Sequence, residues 1–274
     1  MSSIRKVDEG ILFVSEPNPF MFGNGKNDPN NSAWTNKNWL KSRFHFSFAE
    51  YHNPRNSHFG KMRVMNDDLV QPNRGFGAHP HANMEIVTYV VHGELSHADN
   101  KGNQESLGRH STQFMSAGQG VVHSEFNDST KSPVRFIQMW FMPRMMNIDT
   151  RYGSTQGNAE ALTNKWQHLV SDDDSSFSTP VKICQDINIY VTLLDEGKEI
   201  DFHVNSNRQA YLLCVEGTVT LQGTRGDGKE EKTELKAHDA AELFGDIKLN
   251  MHAEATGTHL LLVEMKKDGS SRFA

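Results

Sequence analysis

Met84-Glu85-Ile86-Val87-Thr88-Tyr89-Val90-Val91-His92-Gly93 decides the fold class of this chain. Its β-branched and aromatic residues favour extended, half-buried backbone, and the closing His92-Gly93 supplies turn chemistry, so the stretch predicts a strand running into a turn. Working outward, turn signals recur at Asn53-Pro54, Asp67-Asp68, Asn73-Arg74-Gly75, Lys101-Gly102-Asn103, Glu216-Gly217 and Gly226-Asp227-Gly228. Short apolar-alternating runs lie between them. That rhythm belongs to a sandwich or barrel rather than to alternating strand–helix units. Helical periodicity is weak and is best over residues 158–166.

The opening stretch has a counterpart. Ala210-Tyr211-Leu212-Leu213-Cys214-Val215-Glu216-Gly217 parallels Ile86-Val87-Thr88-Tyr89-Val90-Val91-His92-Gly93. A repeat at the length of a whole barrel predicts an all-β protein of two antiparallel β-barrels in tandem. The expected organisation is an irregular N-terminal extension over 1–37, a barrel over 38–150, a linker or crossover over 151–180 and a second barrel over 181–274. Within the extension, Asn24-Gly25-Lys26-Asn27-Asp28-Pro29-Asn30-Asn31 predicts a polar surface loop. Ser171-Asp172-Asp173-Asp174-Ser175-Ser176 reads as an exposed acidic loop between the halves.

Two dyads carry the chemistry: His79-Pro80-His81, and His123-Ser124-Glu125 some forty residues later. Side chains at i and i+2 of a strand share a face, so each dyad aims two donors at one point. Three imidazoles and a carboxylate form an N/O donor set without thiolate. It suits one divalent transition metal, Fe(II) first, with Mn, Ni, Co, Cu or Zn as alternatives, and it leaves positions open for ligands. The chain has 14 His, so a single H-x-H pair would mean little. The dyads stand out because each adjoins a strand and a turn. In the second half, register on the glycines sets His203 opposite His79 but Asn205 opposite His81, and His252-Ala253-Glu254 echoes the second dyad. One imidazole is lost there, which predicts a degenerate second barrel without metal. Phe76, Met84, Phe114 and Met115 are the expected apolar lining of a substrate pocket by nearness to the dyads, with an ordinary core role as the alternative.

Composition narrows the function classes. A net charge of −6 without any Lys/Arg run argues against direct nucleic-acid binding. No apolar run approaches membrane-spanning length, and the first 20 residues lack the apolar core of a signal peptide, so the expected compartment is the cytoplasm. Cys184 and Cys214 sit in apolar surroundings and read as reduced core residues.

The chain resembles the pirin family of bicupins, within the cupin superfamily, over about residues 38–265. The resemblance is dense in Arg43-Phe44-His45-Phe46-Ser47-Phe48-Ala49, Arg63-Val64-Met65-Asn66-Asp67-Asp68 and Gly75-Phe76-Gly77-Ala78-His79-Pro80-His81. It continues through Met115-Ser116-Ala117-Gly118-Gln119-Gly120-Val121-Val122-His123-Ser124-Glu125. It implies two cupin-type, jelly-roll barrels with one metal in the first, held by His79, His81, His123 and Glu125. Glu85 stands where other cupins place a carboxylate ligand. The nearest likeness is to bacterial pirin-like quercetin 2,3-dioxygenases, which implies O₂-dependent cleavage of a flavonol with loss of carbon monoxide. Glu125 would then also serve as the proton acceptor. The family is functionally mixed, and the alternative is a metal-dependent regulatory or redox-sensing protein acting through a protein partner. The long segment before Trp39 departs from the relatives and bears on the substrate range if it packs over the barrel mouth.

Overall fold

The computed structural model describes residues 3–25 and 38–267. It forms two compact units, one of residues 13–157 and 183–185, the other of residues 1–12, 158–182 and 186–274. The chain starts with β1 (Ile4–Val7), which belongs to the second unit. The first unit then runs β2 (Phe13–Ser15), β3 (Leu40–Phe44), β4 (Met62–Val70), β5 (Arg74–His81), β6 (Glu85–His92), β7 (Leu95–Asp99), β8 (Gln104–Leu107), β9 (Thr112–Ser116), β10 (Val121–Asn127), β11 (Val134–Phe141) and β12 (Arg151–Thr155). They build a seven-stranded sheet in the order β12-β9-β6-β11-β4-β3-β2 and a four-stranded sheet in the order β5-β10-β7-β8.

Burial explains the sequence pattern. In β6 every residue but the last is buried. This central strand is covered on both faces and therefore reads as a continuous apolar run. β10, in the smaller sheet, alternates buried and more exposed positions from Val121 to Asn127, as a strand with one face on the core must. Between the sheets, Trp39, Val90, Leu95, Leu107, Val134 and Phe136 form a buried cluster, each contributing about 1.5–3 kcal/mol by burial.

The second unit adds a single helical turn, α1 (Ala159–Leu162), then β13 (Gln167–Asp172), β14 (Val181–Ile183), β15 (Ile187–Leu194), β16 (Glu199–Val204), β17 (Arg208–Glu216), β18 (Thr218–Arg225), β19 (Glu230–Lys236), β20 (Ala240–Phe244), β21 (Ile247–Ala253) and β22 (Thr258–Lys266). Its sheets run β1-β20-β17-β22-β15-β13-β14 and β16-β21-β18-β19. Strand for strand this repeats the first unit: β17 takes the place of β6, β16 that of β5 and β21 that of β10. The repeat read from the two Gly-terminated strands is thus a repeat of topology. Leu194, Leu212, Leu221, Leu243, Leu260 and Leu262 are among its fully buried core. Cys184 and Cys214 are both buried, and neither forms a disulfide.

Several local features differ from the sequence reading. The 1–37 extension is not wholly irregular. β1 pairs with β20 and is tied by Lys6 to Asp239 at 2.7 Å and by Arg5 to Glu242, while β2 pairs with β3. Asn24, expected at a loop surface, is buried. Its Nδ2 donates to the Gly75 carbonyl at 2.9 Å and its Oδ1 accepts from Gly75 N–H at 3.1 Å. The remainder of that expected loop, from Lys26, lies outside the described residues. The segment over 151–180 holds β12, α1 and β13. The helix stops at Leu162 because Thr163 takes an extended backbone (ψ 119°), and Asn164 then turns left-handed (φ 55°). In the acidic loop Ser171 is buried at the end of β13, and exposure begins beyond it.

Candidate metal centre

Three adjacent strands of the four-stranded sheet bring the site together, with β10 between β5 and β7. Direct partners on antiparallel strands share a face. His123 stands opposite His79 on one side, and Glu125 opposite His97 on the other. His79 and His81, two residues apart on β5, point the same way. Between His123 and Glu125 the β5–β10 register slips, a bulge of the kind that re-aims side chains. Gly75 permits it, because a Cβ there would sit 2.3 Å from the Glu125 carbonyl oxygen.

The structure brings His79, His81 and His123 together, with one ring nitrogen of each within 4.8 Å of the others. Nε2 of His79 and Nε2 of His123 are 3.1 Å apart. His79 Nδ1–H donates to the Gly77 carbonyl at 2.7 Å, which leaves the lone pair on Nε2. Burial, with His79 alongside, holds His81 down to about 4. Burial and then His79, His81 and His97 hold His123 down to about 2. The His81 and His123 rings are therefore neutral at pH 7, with lone pairs available, and a set of three imidazoles fits a divalent transition metal.

Glu125 groups with His123 and His97, again with one atom of each within 4.8 Å. Its Oε1 accepts from Gln113 Nε2 at 2.7 Å and has Thr88 Oγ1 at 3.3 Å, and its Oε2 accepts from Gln138 Nε2 at 2.8 Å. These clamping residues lie in cross-strand register on β9, β6 and β11. Asn66 on β4 extends the same polar row. Burial pushes the Glu125 carboxyl up to about 7, against the pull of the Thr88, Gln138 and Gln113 hydrogen bonds. Glu85 is in neither group of potential ligands and accepts from Ser116 Oγ at 2.7 Å.

His79, His81, His123 and Glu125 line one cavity of about 220 Å³, walled by Phe22, Trp39, Phe48, Phe76, Ile86 and Trp140. Phe22 closes part of it. Its ring makes edge contacts with Trp39 (6.0 Å), Phe76 (5.6 Å) and His79 (5.7 Å), and its carbonyl lies 2.8 Å from where a Cβ on Gly77 would stand. Of the expected lining residues, Phe76 is present. Met84 and Met115 pack instead with Ile86, Ala117 and Val121, and the Phe114 ring lies against Gly153. Met115 is the cross-strand partner of Ile86, and of these residues Ile86 is the one that reaches the cavity. Position along the shared row, not nearness in sequence to a dyad, decides which side chain lines it. In the second unit, His203 pairs with Asp246 at 2.7 Å and His252 lies 3.4 Å from Glu199, at opposite ends of β16.

Paired β-sheets of this topology, with histidines converging from the smaller sheet, define a cupin. Residues 27–141 match the family described as Pirin, and residues 168–265 match the quercetinase C-terminal cupin domain. The quercetin 2,3-dioxygenase of Escherichia coli K12 is 33% identical over 232 residues, spanning 85% of this chain and 94% of that protein. A pirin-like protein of Caulobacter vibrioides is 34% identical over 193 residues, spanning 70% of this chain and 82% of its own. The crystal structure of the bacterial pirin YhhW from Escherichia coli in complex with nickel(II) superposes with a TM-score of 0.78 at 28% identity, covering 97% of this chain and 100% of that one. This chain belongs to the pirin family.

Proposed function

We propose that this protein is a metal-dependent dioxygenase that cleaves quercetin-type flavonols with O₂ in the first unit. The observation that carries this reading is one aromatic-walled cavity lined by three imidazoles and a buried carboxyl. The quercetin 2,3-dioxygenase name of the 33%-identical relative supports it, as does the nickel(II) held by the pirin YhhW.

His79, His81 and His123 would hold a divalent ion, with Glu125 as the fourth candidate ligand. When bound, such an ion supplies Lewis acidity toward the hydroxyl and carbonyl oxygens of a flavonol. The aromatic walls present faces and edges on which a flat ring system stacks, and they keep bulk water out. Glu125, poised near neutrality by its burial, accepts the 3-hydroxyl proton, and the Gln113 and Gln138 amides hold its two oxygens in place.

The test is O₂ uptake and flavonol consumption by metal-reconstituted protein, beside Glu125→Gln. The substitution keeps size but removes the basic oxygen. The rate per bound metal should fall by roughly 10²–10⁴-fold, the range for a positioned proton acceptor. An unchanged metal-normalised rate would leave Glu125 only a ligand. No uptake by the parent with any divalent metal would sink the flavonol reading in favour of a binding or sensing role.

A further inference from the structure

We propose that His97, with Asp99 behind it, is the positioning residue of the metal centre. It holds the His123 ring by its Nδ1 so that Nε2 faces His79. The inference rests on the metal reading above. His97 lies on β7 directly opposite Glu125, and Asp99 directly opposite His123, so all four side chains share the inner face. His97 is 2% exposed, and its ring stacks on Tyr152 with centroids 4.4 Å apart. Its ring centroid is 5.4 Å from that of His123.

Among the described residues no hydrogen bond reaches Nδ1 of His97 or Nδ1 of His123. Buried polar atoms in native proteins find partners, directly or through an ordered water. Here the atoms lacking partners belong to two neighbouring rings. Asp99 Oδ2 is 3.5 Å from His97 Nε2, and Asp99 is itself fixed by the N–H groups of Lys101 and Asn103 and by the Asn103 amide. A carboxylate so placed orients the His97 proton onto Nε2. Nδ1 of His97 is then an acceptor, and the matching donor is the Nδ1–H of His123. The Gly77 carbonyl does the same for His79. Both rings thereby present Nε2 lone pairs to one point, the arrangement a metal ion requires.

Two measurements test this. In metal-free protein labelled with ¹⁵N-histidine, NMR should show His123 as the Nδ1–H tautomer and His97 as the Nε2–H tautomer; His123 found as Nε2–H would overturn the proposal. In chelator competition with Ni(II), His97→Phe, which keeps the stacked ring, should bind roughly 10–100-fold more weakly, the usual cost of losing such a partner. His97→Gln, whose Oε1 can still accept, should recover part of that loss, and the Co(II) absorption spectrum of His97→Phe should shift. Affinity within twofold of the parent and an unshifted spectrum would show that His97 only fills space. A parent that takes up neither ion would sink the metal reading itself, and this inference with it.

Discussion

Asp68 shows how the site's residues couple to the stability of the fold. It lines the cavity from β4, and its carboxyl is pushed from an ordinary 3.8 up to about 8, by burial first, with Asp67 and Glu125 adding repulsion and the Ser42 hydroxyl opposing. Between those values the folded chain keeps a proton that the unfolded chain releases. The stabilisation from the neutral acid is therefore complete below about 3.8 and is lost as pH rises through about 8. Asp68→Asn cannot ionise, so the metal-free variant should melt several degrees higher relative to the parent at pH 9 than at pH 5. Parallel melting curves across that range would refute the assignment. The convergence of His79 and His81 was legible in the sequence because an i, i+2 pair on a regular strand shares a face. His97, Thr88, Gln113 and Gln138 were not, because what joins them to Glu125 is register across separate strands.

The tight turn at Met21–Gly23, where Phe22 takes a left-handed backbone (φ 55°), supplies one wall of the cavity. Asn24 anchors it by the paired bonds to Gly75, and Trp39 Nε1 donates to the Asn18 carbonyl at 3.1 Å. Phe22 is thereby a wall of the cavity. Phe22→Ala should weaken quercetin binding roughly twofold to tenfold, matching the 0.5–1.5 kcal/mol of an aromatic contact, and should improve discrimination in favour of bulkier flavonols. Fluorescence titration of metal-loaded protein reads both. Equal affinities in parent and variant would place the ligand away from Phe22. The wall was not legible in the sequence because Phe22 reaches Phe76 and His79 only after more than fifty residues of intervening chain have folded.

For the whole molecule, the two units repeat one topology, but among the described residues only the first carries an imidazole cluster. A ligand stabilises the structure that binds it by mass action, about 2.7 kcal/mol at a hundredfold excess over Kd. Saturating Ni(II) should therefore slow amide exchange in β4–β6 and β9–β11 and leave β15–β22 unchanged. Equal protection in both units would mean that they open as one cooperative body.

The sequence by itself determined the strand class, the repeat and the three imidazoles, because alternation, turn chemistry and i, i+2 spacing act within a few residues. Only the tertiary structure decided which side chains face Glu125, which aromatics wall the cavity and where β1 pairs. Those depend on the register between strands and on the bulge between His123 and Glu125, set by packing between segments far apart in the chain.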